Sequence, residues 1–516
     1  MNNLEKIWLD DLASNAFSKL KTLVVKYCEK LSSIFLSYTM LTRFQNLEKI
    51  SVTDCGSLEV VFHIQEFNFS EACPTSTFQL RELVLMRLPK MKHVWSGHPQ
   101  GGLTFGLLRC MEIVECERLK SLFPSLMAKS MTRLEELLVR ECGVQEIIVE
   151  EDGVEMNARD LFFPQLTDLK LLELPDLRSF YRNSHTSTQP LLKKLQVRHC
   201  GKIGSFSFAC EYQSCRGTNI SENQPALFSF EKVIPNLKGL TLMSEDVIMM
   251  TLQHHYVFRN LTELDLACYH DENVAFPSNF LLHRFPNLEV LSLSYSSLEE
   301  IFPEDACGHG GATSYGELTD METPLKALKN LRQLELNKLC KLQRVWKDGS
   351  LMAEILKQIE TLLILECSSL SIVLPSPTAF QRLTELEVKD CAGLVHMGTC
   401  SAVTSLVHLT SLTLKNCSAM EDVVIDDGNG VEEISFPKLH RLILDGLPSL
   451  ESFSSVNCTF MFPSLWDIIV KQCPKMNIFC NGALSTPRLH QVYLSDEDYK
   501  GCWEGDLNTT IQFLST

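Results

Sequence analysis

The chain has 516 residues, 45% of them hydrophobic, and a formal net charge of −17. That acidic balance excludes a phosphate-backbone binder, whose affinity rests on clustered Lys and Arg. No run approaches the ~18–20 apolar residues of a membrane span, and the opening MNNLEKIWLDDLASNAF has no basic-then-apolar secretory signal.

The chain opens inside a unit that recurs throughout. Leu4-Glu5-Lys6-Ile7-Trp8 copies Met91-Lys92-His93-Val94-Trp95. No polar cap of the kind that closes a terminal repeat is visible before Leu4, so a fragment of a longer protein or a truncated gene product is expected. The unit itself is LxxLxL/V. Its first apolar residue, the marker, falls at Leu20, Leu47, Leu80, Leu108, Leu134, Leu166, Leu192, Leu237, Leu261, Leu288, Leu331, Ile359, Leu383, Leu409, Leu439, Leu465 and Leu489. The span 489 − 20 = 469 residues over sixteen intervals gives about 29 residues per unit, at the upper end of the leucine-rich repeat range.

Residues three and five after each marker (+3 and +5) are expected to point inward from a short strand, with +4 and +6 pointing out. Position +8 holds Cys28, Cys55, Cys116, Cys142, Cys200, Cys367, Cys391, Cys417 and Cys473, or Leu88, Leu174, Leu339 and Leu447. A small buried thiol supporting the turn after the strand is the expected role. Zinc or a disulfide is the competing reading, but no CxxC or CxxxxH pair accompanies these cysteines. Without a secretory signal, the 20 cysteines read as reduced thiols.

Two unit types partly alternate: LxxLxVxxCxxLxxLF, as in Leu108–Phe123, and LxxLxLxxLPxLxxF/VW, as in Leu80–Trp95 and Leu166–Tyr181. The Leu-Pro step is expected to end the strand, because Pro cannot donate to a ladder. Phe recurs three residues before the marker, from Phe17 and Phe44 to Phe436 and Phe462, and predicts a Phe stack on the convex side. Loop excursions are expected near 63–77, 207–230 and 303–324. Shorter acidic ones occur at Glu150–Gly153 and Asp426–Gly430, and these read as solvated loops because they lack the calcium-loop ligand pattern. The organisation expected is an array over 1–497 of about seventeen units, plus the truncated N-terminal unit. Residues 498–516 follow as a cap or tail.

Catalytic motifs are missing from the sequence: GxxxxGK[ST], GxSxG and HExxH do not occur, nor does GxGxxG after a strand. His254-His255 and Gly308–Gly311 read as packing or loop features. No cofactor and no metal is expected, and the chain is read as a non-enzyme. What remains is a face of stacked strands, spaced by about 4.8 Å. Its outward columns carry Lys26, Arg140, Arg198, Lys389, Lys415 and Lys471 at +6, with Glu141 and Asp390 at +7. Asp445 is the acid in an otherwise basic +6 column, and with Ile443 it is the outward residue of its unit. Arg140-Glu141 and Lys389-Asp390 are expected as adjacent opposite charges. A mixed-charge face suits selective protein recognition.

Units such as FPQLTDLKLLELPDLRSFYRN, FPKLHRLILDGLPSLESFS and LEELLVRECGVQEIIVEEDG resemble the leucine-rich repeats of plant intracellular disease-resistance proteins of the coiled-coil, nucleotide-binding class. The resemblance spans nearly the whole chain. It implies an α/β-type repeat solenoid: a curved horseshoe with a parallel β-sheet on the concave face and loops or short helices on the convex face. It also implies a cytoplasmic or nuclear sensor in plant defence. Such a sensor binds a pathogen effector or a modified host protein and restrains the nucleotide-binding domain of a longer resistance protein. The chain departs from that class in lacking the nucleotide-binding motifs themselves. The substrate-recognition subunit of an F-box-type ubiquitin ligase is the alternative, since it also uses Cys-bearing repeats.

Overall fold

The computed structural model describes residues 4–8, 17–35, 41, 43–63, 76–96, 103–149, 162–181, 191–200, 204–207, 226–229, 236–244, 246–247, 250, 256–267, 281, 284–299, 301, 328–346, 351–377, 380–494 and 501–515. Most of the three long excursions lies outside these residues, as do the Glu150–Gly153 loop, His254-His255 and Gly308–Gly311. The chain divides into two compact units, Met1–Thr241 and Leu242–Thr516.

Both units are built from one rung. Sixteen five-residue strands, from Thr22–Lys26 to Asp467–Lys471, each begin two residues after a marker. They pair in parallel with marker-aligned register: Glu136 lies opposite Asp168 in the first unit, and Arg441 opposite Asp467 in the second. Positions +3 and +5 are buried almost everywhere, as at Leu83 and Leu85 or Leu386 and Val388. The ladder is anchored at its start by a shared acceptor. The N–H groups of Arg81 and Glu82 both donate to the Glu48 carbonyl, at 2.7 and 3.0 Å, and this repeats from rung to rung.

The strand does not end where the Leu-Pro step predicts. Strands stop at +6 in Cys units and Leu-Pro units alike, at Val114 and at Leu172. The next residue, +7, takes a left-handed backbone: Asp54, Arg87, Glu115, Glu141, Glu173, Lys338, Glu366 and Asp390 all have φ between 51° and 57°. Its N–H still reaches the next rung's +6 carbonyl, as from Glu141 to Leu172 at 3.0 Å. The left-handed turn therefore bends the chain out of the sheet, and Pro only follows it. A non-glycine residue there costs roughly 1 kcal/mol, which the ladder bond offsets. Gly446 holds this position once, at φ 67°.

The +8 thiols are free of disulfides, and all are buried except the half-buried Cys473. All nine donate to the +6 carbonyl two residues back, as Cys391 Sγ does to Lys389 at 3.3 Å. Several also reach the previous rung's +5 carbonyl: Cys200 to Leu171 at 3.2 Å and Cys473 to Leu444 at 3.7 Å. Successive thiols meet where units adjoin, for the Cys367 N–H donates to Cys391 Sγ at 3.4 Å. Burial pushes Cys200 up to about 12, and Cys55 and Cys473 up to about 11. The thiol is thus a weak hydrogen-bond hinge between rungs.

Behind the sheet, among the described residues, the expected short helices are few. Short parallel ladders take their place, such as Ser33–Phe35 with Val60–His63 and His93–Ser96, and Glu433–Ser435 with Thr459–Met461. The Phe column before the marker does stack, Phe17 on Phe44 at 5.6 Å and Phe436 on Phe462 at 5.2 Å. A second aromatic column from these outer ladders stacks beside it: Phe35, Phe62, Trp95 and Phe123 at 5.4–6.0 Å. The two columns meet edge to face, with Phe35 against Phe44 at 5.3 Å and Phe62 against Phe105 at 5.1 Å. Such pairs add about 0.5–1.5 kcal/mol beyond area burial. Trp8 extends the second column, stacked on Phe35 at 6.4 Å, and meets Phe44 of the first at 4.8 Å.

The ladder of the second unit closes at Val492–Tyr493, which pairs antiparallel with Gly501–Cys502. The helix Leu507–Ser515 follows, with Leu507 and Ile511 buried. Its Asn508 Oδ1 accepts from the N–H groups of Phe479 and Cys480 at 2.9 and 3.1 Å, and its Nδ2 donates to the Cys480 carbonyl at 3.1 Å. One side-chain amide so substitutes for the backbone of a further outer rung and blocks an open edge.

Candidate recognition surface

The outward columns are fixed by register, so the side chains that share a row can be read directly. In the first unit the +6 row runs Lys26, Thr53, Met86, Val114, Arg140, Leu172, Arg198. Its three cations are separated by apolar or neutral rungs, so this column is not otherwise basic. Arg140 and Glu141 do form the expected pair, at 3.3 Å. The +7 row pairs across rungs instead. Arg87 grips Asp54 through Nε at 2.6 Å and a second guanidinium nitrogen at 2.8 Å, and that contact holds the Asp54 carboxyl below the usual carboxylate range.

In the second unit the +6 row is contiguous. Lys389, Lys415, Asp445 and Lys471 stand opposite one another on four successive strands. Asp445 is therefore flanked by a lysine on each side. The expected Lys389–Asp390 pair does not form: Lys389 bonds Glu387 on its own strand. Asp390 instead accepts from Asn416 at 2.9 Å. Ile443, read as outward, is only 6% exposed, and Ile469 beside it 4%. Both face the outside of the sheet but are covered by their neighbours. Arg441 and Asp467, not singled out by the sequence reading, pair at 3.4 Å on the adjoining +2 row. Aligning the markers would have put them side by side.

A further row lies along the flank of the sheet, at +1. In the first unit its acids pair with cations on neighbouring rungs: Lys21 meets Glu48 at 3.5 Å, Glu48 meets Arg81 at 3.9 Å, and Arg109 grips Glu135 at 2.7 Å. Arg81, Arg109, Arg133 and Glu135 line an open groove of about 580 Å³ there. Most exposed ion pairs of this kind contribute about 0–1 kcal/mol, so they set the pattern of the surface more than its stability.

Among the described residues no group of three or more His, Cys, Asp or Glu side chains is placed to hold a metal ion. No helix there is long and apolar enough to cross a membrane. The acidic Asp426–Gly430 loop is exposed at its tip but not merely solvated. The Asp427 carboxylate accepts from the backbone N–H and the hydroxyl of Ser401. Partial burial opposes ionisation, but these bonds and those from Thr399 and Asn429 outweigh it and bring Asp427 down to about 2. The arrangement among the described residues presents charges in fixed rows.

Comparison with curated proteins gives no match. Solved structures with similar stretches include a TLR13–ssRNA13 complex, at 13% identity and TM-score 0.39, covering 90% of this chain and 65% of that one. They also include the mouse RP105/MD-1 complex, at 13% identity and TM-score 0.33, covering 91% and 78%. A leucine-rich repeat protein from Bacteroides thetaiotaomicron matches at 12% identity and TM-score 0.31, covering 82% and 47%. This chain thus spans less than two thirds of the length of the TLR13 and Bacteroides chains. The sequence profile of the leucine-rich repeats of RPS2-like plant disease resistance proteins matches residues 1–143, 236–379 and 376–483. The chain, a leucine-rich repeat solenoid of parallel strands, belongs to that family of RPS2-like plant disease resistance repeats.

Proposed function

We propose that the chain is a non-enzymatic recognition scaffold of plant defence, acting in the cytoplasm. It senses a pathogen effector or a modified host protein through the outward face of its strands, and it restrains a nucleotide-binding signalling module of a longer resistance protein. Family membership supports the defence setting. The observation that carries the choice of face is the contiguous row Lys389, Lys415, Asp445, Lys471. A fixed plus-plus-minus-plus series, held on four rigid strands, selects a partner by complementary charge and rejects one with the opposite pattern. Arg140, Glu141, Arg198 and Lys26 add isolated contacts on the first unit. The test is a titration of the purified chain against a panel of pathogen effector and host proteins. A specific binder should lose at least about tenfold in affinity, or 1.4 kcal/mol, when Lys389, Lys415 and Lys471 are all changed to Glu. Binding that survives this change refutes the assignment of the face.

A further inference from the structure

The flank of the last rungs departs from the flank elsewhere. At +1 the first unit sets acids among its cations, as in Lys21–Glu48–Arg81 and Arg109–Glu135, while Lys19 and Arg133 just before their markers and Lys193 at +1 have no such partner among the described residues. The second unit does the same at Arg332–Glu360, 3.2 Å apart. From the Leu409 rung onward these two columns hold no acid at all. They hold His408, Lys438, His440, Trp466, Arg488 and His490, all exposed. Trp466 is 57% exposed, one of the most exposed large apolar side chains described. Its N–H is tied to the His440 carbonyl at 3.3 Å, so its backbone is fixed on the ladder while the indole stands outside. Lys438 approaches only His408, Nζ to Nδ1 at 3.0 Å. Among the described residues, Asp467 beside Trp466 is held by Arg441 at 3.4 Å. All this occurs in a chain whose net charge is −17.

We infer that this flank is a second docking surface, separate from the strand face, and that its occupant is an extended acidic segment of a partner protein. The charge fits that chemistry and the spacing adds to it. Lys438 and Arg488 lie two rungs apart, about 10 Å, with Trp466 on the rung between. Acidic residues three apart in an extended chain are separated by roughly 10 Å as well. An apolar residue between them would cover the indole. Trp and Arg anchors ringed by polar groups are the side chains that carry most interface energy, and an uncompensated cationic patch speeds and orients the approach of an acidic partner.

The test uses the full chain and a fluorescein-labelled peptide, Gly-Glu-Leu-Gly-Glu-Gly, followed by anisotropy. A second peptide with Gln for both Glu is the control. Binding of the Glu peptide should weaken at least about tenfold in Trp466→Ala and in the double variant Lys438→Glu, Arg488→Glu. It should stay within about twofold in the strand-face variant Lys389→Glu, Lys415→Glu, Lys471→Glu. It should also fall as salt is raised from about 50 to about 500 mM. Circular dichroism confirms the fold of each variant; Trp466, Lys438, Arg488 and Lys471 are exposed, and Lys389 and Lys415 half-buried. Absence of binding, equal binding of the Gln peptide, or full binding by the flank variants overturns the inference. Loss in the strand-face variant alone also overturns it, while leaving the strand face as the recognition surface.

Discussion

Replacing Cys391 puts the role of the thiol column to a quantitative trial. Cys391 is fully buried. It donates to the Lys389 carbonyl at 3.3 Å and accepts from the Cys367 N–H at 3.4 Å. Cys391→Ser keeps a donor and an acceptor and should cost least. Cys391→Ala leaves the Cys367 N–H without its acceptor in a buried site, which costs about 1–3 kcal/mol. Cys391→Asp puts a carboxylate among backbone carbonyls and thiols with no cation in contact, which costs about 3–5 kcal/mol. For a unit the size of Leu242–Thr516, each kcal/mol lowers Tm by roughly 2–4 °C, so the Asp variant should melt roughly 6–20 °C lower. Thermal and urea unfolding by far-ultraviolet circular dichroism measure the order Ser, Ala, Asp. Amide exchange at Cys367 checks that the damage is local, because a repeat array can open in parts. An Asp variant within about 1 kcal/mol of the parent would show the slot to be wet, and the hinge role would be wrong.

The cap gives a second test. Asn508→Ala should strip the Phe479 and Cys480 N–H groups of their acceptor, at about 1–3 kcal/mol, and amide exchange at those two residues should accelerate first. Gly446→Ala should cost about 1–2 kcal/mol, seen in urea midpoints. Its φ is 67°, and the new Cβ would lie 2.3 Å from Asn416 Oδ1 and 3.3 Å from the Asn416 backbone nitrogen. The Asp427 carboxyl is held down, at about 2 against an ordinary 3.8. Its contribution is therefore complete above about pH 4 and is lost as pH falls toward 2. Asp427→Asn should be destabilising at pH 7 and indistinguishable from the parent near pH 2, with an effect kept small by solvent. The buried thiols run the other way. Cys200 is raised from an ordinary 9.0 to about 12, so its contribution is whole below pH 9 and is lost as pH climbs toward 12. Alkaline unfolding should be delayed in Cys200→Ala relative to the parent's own neutral stability.

The sequence carried the rung because a marker with apolar residues at +3 and +5 states both where a strand starts and which side is buried. It carried the thiol slot too, since a column of Cys and Leu marks a buried apolar position. The turn at +7 was hidden. Asp54, Arg87, Glu141 and Lys338 have no common chemistry, and their left-handed backbone is imposed by the ladder rather than chosen by the side chain. Lys389–Asp390 looked like a pair and is not one because each side chain finds another partner, Glu387 and Asn416. The outer ladders were missed because three-residue strands such as Ser33–Phe35 are too short to show a period. On the surface, residues sharing a strand were readable, but rows across strands required the register. Only alignment of markers places Asp445 between Lys415 and Lys471.

The most direct trial of the recognition claim is lysine acylation, read by mass spectrometry, of the chain with and without an effector or host protein found to bind it. The account predicts that Lys389, Lys415 and Lys471 become protected together while Lys475, exposed on the turn beyond the last of these strands, stays reactive. Unchanged labelling of all three lysines in a saturated complex would contradict it.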